Sequence, residues 1–209
     1  MAFTVEMVRL SLEKLNVLIE EKREYLTDLD SAIGDADHGI NMNRGMKHII
    51  EKIRGKEYSD FGGIFRDAAM TIMSAVGGSA GPLFGTFFMK IGQKLIGKSE
   101  VSIEELAVAM QDGLDGIMFL GRSGVGDKTM IDAIAPAVEA LRENSSDGDS
   151  AAWNKAVIAA ELGMKGTIPM LSRRGRSSYL GERSIGHQDP GATTSYYLIS
   201  CFRDASVEG

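Results

Sequence analysis

The chain has 209 residues, a formal net charge of -6 and a single cysteine, Cys201. That length suits one fairly large domain spanning residues 1–209, and the acidic balance, with no dense run of Lys and Arg, excludes an electrostatic footprint for nucleic acid. One cysteine permits no internal disulfide, the start MAFTVEMVRL lacks a basic stretch before an apolar run, and roughly 18 consecutive apolar residues occur nowhere, so a soluble protein of the cytoplasm is expected.

In chain order, Val8, Leu12, Leu15 and Leu18/Ile19 recur at helical spacing, predicting a first helix from about Thr4 to Tyr25. The period returns at Met42, Met46, Ile49, Ile50 and Ile53 and stops in the turn 55–58. Ser59 is placed to cap a third helix with Ile64, Phe65, Ala68, Ile72 and Met73, ending at Gly77-Gly78. Pro82 fits the first turn of a fourth helix carrying Leu83, Phe84, Phe87, Phe88, Ile91 and Leu95. Ser102-Ile-Glu-Glu105 reads as a capping box with Val101 and Leu106 as its staple, and the fifth helix runs through Met110, Leu114, Ile117 and Met118 to Gly121, a left-handed terminator. Asp127 can cap a sixth helix (Met130, Ile131, Ile134, Val138, Leu141) that Pro136 should kink or break. A seventh follows through Trp153, Val157 and Leu162. After the irregular stretch 172–191, Asp189 and Pro190 open an eighth with Tyr196, Tyr197, Ile199 and Phe202.

No sustained period-two strand or hairpin signal appears, so the prediction is all-α, with eight helices. Short connections make successive helices antiparallel, giving an up-and-down array. In such an array the loops 26–39, 76–81, 121–129 and 172–191 all fall at one end, and every unusual motif lies in one of them. The other three connections are ordinary polar turns.

The first of these loops, DSAIGDADHGIN, places Asp30, Asp35 and Asp37 within eight residues. The cluster repels itself unless a cation joins it, and Mg²⁺ typically shares one or two carboxylates with substrate phosphates; a solvated acidic loop is the alternative. It is not an EF-hand, because no Glu stands at the twelfth place and Gly39 takes an acid's position. In the second loop, Gly-Gly-Ser-Ala-Gly leads into a helix N-terminus, where free amides and the dipole favour phosphate, or simply makes a turn. The third, GRSGVGDKT, is not a Walker A loop, since Asp127 intervenes before Lys128-Thr129 and no strand precedes it; it is either an anion cradle or a plain loop whose Asp127 simply caps the next helix. The fourth carries Arg173, Arg174, Arg176 and Arg183 near His187 and Asp189. It offers an arginine clamp for a polyphosphate, or a solvated basic surface. Met42, Met46, Phe84, Phe87 and Phe88 read as core; Met130 is better placed to touch a base.

The segments IGDADHGINMNRG, GGSAGPLFGTFF, GDKTM and GRSSYLGERSIGHQDPGAT closely resemble the nucleotide-binding L subunit family of dihydroxyacetone kinases, DhaL, over nearly the whole chain. The resemblance implies an antiparallel eight-helix barrel with the nucleotide site at one end. It implies ADP/ATP and two Mg²⁺ ions as cofactors, the metals held by Asp30, Asp35 and Asp37. His38, Gly39, Ile40, Asn41, Ser79 and Ala80 would surround the phosphates, Gly121, Thr129 and Met130 would contact the nucleotide, and Asp189, Pro190 and Gly191 would close its site. Arg176 would reach the transferring phosphoryl group. Family members often carry two hydroxyl residues after the Gly-Gly pair; here Ala80 offers only its backbone, which leaves Ser79 as the side-chain ligand.

The family's activity implies two partners: a K subunit that holds dihydroxyacetone, and a phosphohistidine donor (M-type) subunit of a phosphotransferase system that recharges ADP. Free exchange of ATP, a related ketose such as erythrulose, and a metal-dependent phosphohydrolase using the same carboxylates are the alternatives.

Overall fold

The computed structural model describes residues 2–208; Met1 and Gly209, the ends of the expected domain, lie outside them. The described residues form nine α-helices, a 3-10 segment and a ribbon of two very short strands. In order these are β1 (Phe3–Thr4), α1 (Val5–Glu21), α2 (Arg23–Ile33), α3 (His38–Ile53), α4 (Phe61–Ala75), α5 (Ala80–Lys94), β2 (Glu100–Val101), α6 (Ile103–Gly121), α7 (Ile131–Glu143), α8 (Asp149–Gly166), the 3-10 segment Arg176–Ser184, and α9 (Pro190–Glu208).

Packing follows chain order. Helix α1 lies on α3, each helix from α3 to α8 lies on the next, and α9 returns to α1, so eight helices close a ring. The fold is the expected all-α, up-and-down antiparallel barrel. Its closing seam is marked by Phe3 against Phe202 (6.0 Å between ring centroids) and by Lys14 Nζ to Glu208 Oε1 at 2.8 Å. Phe3 and Phe202 both also contact Trp153, at 5.8 and 6.1 Å, and a second aromatic chain joins Phe61, Phe65, Phe88 and Phe87. Each fully buried side chain of this kind contributes about 1.5–3 kcal/mol of transfer free energy.

Four local expectations need correction. The first predicted helix does not end at Tyr25: it breaks at Lys22, and α2 continues to Ile33, so Asp30 sits on a helix rather than in a loop. The hydrogen bonds Lys22 N to Leu18 O and Leu26 N to Lys22 O carry the chain across the break. Helix α4 is capped by Asp60, not Ser59, because one Asp60 oxygen accepts from Gly63 N (2.8 Å) while the other accepts from Gly97 N (2.7 Å) across the far end of the ring. The left-handed residue after α6 is Arg122 (φ 48°), not Gly121. Finally, α7 runs unbroken through Pro136. The carbonyl that this proline leaves unbonded, that of Asp132, faces Gly163 of α8, where a missing side chain leaves room for it.

The capping box of Ser102 and Glu105 is present as predicted, with both reciprocal bonds made (2.9 and 3.2 Å). The strands β1 and β2, absent from the sequence prediction, pair Phe3 with Val101 at the end of the ring opposite the motif loops. No helix among the described residues is long and apolar enough to cross a membrane.

Candidate functional site

One cleft opens at the rim of the ring, and all four motif loops line it. Its acidic wall begins with Asp30, which is 8% exposed near the end of α2. Asp30 Oδ2 accepts from the amides of Asp37 (2.9 Å) and His38 (3.1 Å), so the carboxylate organises the loop that follows it. The chain can turn back so tightly only because Gly34 lacks a side chain; a Cβ there would overlap the Asp30 carboxylate. Ala36 takes a left-handed φ of 60°, an uncommon state for a residue with a Cβ. As a result, one oxygen from each of Asp30, Asp35 and Asp37 lies within 4.8 Å of the others. Three carboxylates this close fit a hard divalent cation, which takes oxygen ligands.

Opposite the acids, Arg176 at the start of the 3-10 segment reaches Asp35, Nη2 to Oδ2 at 3.1 Å. Its side chain is 66% exposed, so this pair contributes only about 0–1 kcal/mol to holding the segment. Gly77, Gly78, Ser79 and Ala80 line the next sector at the N-terminus of α5, and no side chain caps that helix. Its first amides therefore remain available to an anion. Leu83, Phe84, Ile117, Met130 and Ile131 form an apolar sector beside them, suited to a flat ring system. Phe84 is thus both core and cleft wall.

The third loop is shaped by Asp132 rather than by Asp127 alone. Asp132 is 3% exposed and accepts from Gly126 N (2.5 Å) and Thr129 N (2.7 Å); Asp127 does not cap α7 but accepts from Gly124 N (2.9 Å) within the loop. Thr129, Met130 and Gly121 stand on the cleft wall. Asp189 caps α9, its Oδ2 accepting from Ala192 N at 2.7 Å, and with Pro190 and Gly191 it completes the wall. Burial pushes the Asp189 carboxyl up to about 7.

His38 is buried, and its Nε2 lies 2.8 Å from Thr194 Oγ1 on α9. Burial lowers its pKa to about 4, so the ring is neutral near pH 7 and serves as a strut between α3 and α9. Asn41 lines the cleft with Oδ1 held by Arg44 Nη2 at 2.8 Å.

The cleft thus brings together Asp30, Asp35, Asp37, His38, Asn41, Ser79, Ala80, Gly121, Thr129, Met130, Arg176, Asp189, Pro190 and Gly191. Two expected residues do not line it. Gly39 is packed where a Cβ would collide with the Arg23 carbonyl, and it sets the close approach of α3 to α2. Ile40 is 52% exposed and faces the outer hollow between the same two helices. Arg173, Arg183 and His187 are exposed and also stand off the cleft, whereas Arg174 joins its wall, with Nε 3.5 Å from Asp127. Sequence reasoning missed Asp132, Thr194 and the buried Lys128. Only Asp132 carried a local signal: Thr129-Met-Ile-Asp132 has the spacing of a capping box.

Fold and cleft together define a helical barrel whose rim is built for a divalent cation beside an anionic ligand with an apolar portion. The family described as the DAK2 domain matches residues 32–204, and the chain belongs to that family. It is 45% identical over 193 residues to "PEP-dependent dihydroxyacetone kinase, ADP-binding subunit DhaL" of Escherichia coli (strain K12), covering 91% of this chain and 92% of that one. It is 40% identical over 188 residues to "PTS-dependent dihydroxyacetone kinase, ADP-binding subunit DhaL" of Lactococcus lactis subsp. lactis (strain IL1403), covering 90% and 91%. Among solved structures, the dihydroxyacetone kinase from C. freundii in complex with AMP-PNP and Mg2+ superposes with a TM-score of 0.72 at 23% identity; the match covers 98% of this chain and 34% of that longer one.

Proposed function

We propose that this chain, read as one domain over 1–209, is the ADP-binding subunit of a dihydroxyacetone kinase and acts in the cytoplasm. A K subunit presents the ketose, and a phosphohistidine donor of M type returns the phosphoryl group to the nucleotide. The observation that carries this reading is the convergence of the three aspartates, the uncapped α5 N-terminus, the apolar sector and Arg176 on one cleft. The two bacterial relatives, both described as ADP-binding subunits, support it, and their PEP and PTS dependence favours the donor subunit over free ATP.

Asp30, Asp35 and Asp37 would hold Mg²⁺, with the α5 amides and Ser79 at the phosphates and Met130, Leu83 and Ile117 against the base. Bound there, ADP and Mg²⁺ would supply a phosphoryl carrier and the charge neutralisation that phosphoryl transfer requires. The chain's own part is positioning. Asp30 fixes the metal loop through two amides, Asp189 and Asp132 fix two walls, and Arg176 offers a guanidinium where negative charge would shift during transfer. Neither buried titratable group of the wall is free to act as a base: His38 is committed to Thr194, and Asp189 to the Ala192 amide that it caps. The base for the ketose hydroxyl therefore belongs to the partner.

The test is to purify the protein, denature it and chromatograph the released nucleotide, then incubate intact protein with candidate donor proteins and ask whether ADP becomes ATP. Arg176→Ala should keep ADP and slow transfer. Nucleotide that neither co-purifies nor raises the melting temperature with Mg²⁺ would refute the proposal, and steady phosphoester hydrolysis without any partner would favour a phosphohydrolase.

A further inference from the structure

Lys128 is 1% exposed, in a left-handed conformation (φ 63°), at the inner edge of the third loop. Its ammonium donates into a cage of main-chain carbonyls: Thr167 (2.8 Å), Ile168 (3.4 Å), Met170 (3.2 Å), Ser184 (2.8 Å) and His187 (2.5 Å). Among the described residues it forms no ion pair. Burial lowers its pKa, and the nearby Asp189 carboxyl opposes that shift.

The five carbonyls belong to the two feet of one segment. Three precede Ser172 and two follow Arg183, so a single ammonium ties together the start and finish of the stretch that carries Arg174 and Arg176. Smaller ties lie beside it: Ser172 N donates to Ser184 Oγ (2.9 Å) and Gly186 N to Ile168 O (2.8 Å). The Arg176–Asp35 pair at the other side is largely exposed and too weak to hold the segment in place. A buried ammonium is costly unless its protons are met; here main-chain carbonyls meet them, and an apolar side chain would leave those carbonyls without their donor. Its presence calls for a role that charge serves and methylene packing does not.

We propose that Lys128 is the positioning residue for Arg176. Its ammonium fills a carbonyl cage of the kind that takes a monovalent cation, and by gathering both feet of segment 167–187 it aims the arginine at the metal loop. This rests on the phosphoryl-transfer reading for its catalytic consequence, but not for the cage itself.

The test compares Lys128→Ala and Lys128→Met with the full unmodified protein. Three quantities are read: amide hydrogen exchange over 172–187, ADP retained with Mg²⁺, and transfer in the reconstituted system. Both variants should exchange at least tenfold faster in this segment, keep ADP, and transfer at least tenfold more slowly. Propylammonium, which replaces the atoms lost in Lys128→Ala, should restore protection and transfer there but not in Lys128→Met, whose side chain fills the space. Wild-type protection in Lys128→Met, unaltered transfer despite lost protection, or no rescue of a folded Lys128→Ala overturns the proposal. So does global unfolding of Lys128→Met, which would make the cage a determinant of the whole fold. In the unmodified protein, Lys128 should resist reductive methylation under conditions that modify exposed lysines, and its modification also overturns the proposal. If no ketose is phosphorylated even by the unmodified protein, the functional reading fails, while segment protection and its rescue still decide the role of Lys128.

Discussion

Replacing Asp30 separates two jobs that one carboxylate performs. Its Oδ2 accepts from two amides, and it also stands within 4.8 Å of two other acids. Hydrogen bonds to a charged group contribute about 1.5–3 kcal/mol each, so Asp30→Ala loses about 3–6 kcal/mol of them. Against this, each like charge at about 5 Å costs about 1–3 kcal/mol for effective dielectrics from about 80 down to about 20. Asp35 is already offset by Arg176, so the relief comes mainly from Asp37. The hydrogen bonds win, and Asp30→Ala should be less stable by about 2 kcal/mol without metal. Asp30→Asn keeps an acceptor for both amides while losing the charge; its weaker bonds, about 1 kcal/mol less each, are matched by the relief of repulsion, so it should melt near the wild type. For a chain of this size the two variants should then differ by roughly 4–8 °C in Tm in EDTA. Adding Mg²⁺ and ADP at about 100 times Kd should stabilise the wild type by about 2.7 kcal/mol and neither variant. Equal melting of the two variants in EDTA, or an Asp30→Asn protein that keeps the full shift with Mg²⁺ and ADP, would refute the reasoning.

Asp189 is raised to about 7 by burial, so in the metal-free protein it contributes a stability term that is fully present below the unfolded carboxyl's pKa near 4 and is lost as pH rises to 7. Asp189→Asn keeps the α9 cap; urea melts at several pH values should show wild-type stability falling relative to the variant by up to about 1.4 kcal/mol per pH unit between about 4 and 7, and a constant difference would contradict the assigned burial. Gly39→Ala should push α3 from the Arg23 carbonyl, costing about 1–3 kcal/mol in a thermal or urea melt and weakening Mg²⁺–ADP binding, although the residue does not line the cleft.

Much of the architecture was legible because its causes are local. Helix parity needs only amphipathic periods and short turns, and it put the four motif loops on one rim. The Ser102–Glu105 box and the Asp189–Pro190 start are read from neighbours in sequence, and both formed as expected. Helix α2 was missed because its inward stripe is Leu26, Asp30 and Ile33, with an acid where the pattern calls for an apolar residue. The ribbon of β1 and β2 is too short to show a period. The cap of α4 lies one residue past the expected Ser59: Asp60 accepts from Gly63 three residues on, and only its second bond, to Gly97, is out of reach of a local pattern. Lys128 looks in sequence like any solvated lysine; its cage comes from carbonyls 39 to 59 residues away, which no local pattern encodes.

The break at Lys22 has a consequence for how the protein opens. Past it, α2 buries only three of its eleven side chains, whereas α1 buries seven of seventeen within the closed ring. So few buried side chains put α2 toward the low end of the local stability scale. The first metal-site aspartate rides on that element. In the metal-free protein its amides should therefore exchange through local openings of lower free energy than those of the core, while the thermal melt remains that of the whole chain. Cation binding would then be felt first as slowed exchange of the α2 amides, long before any change in the core.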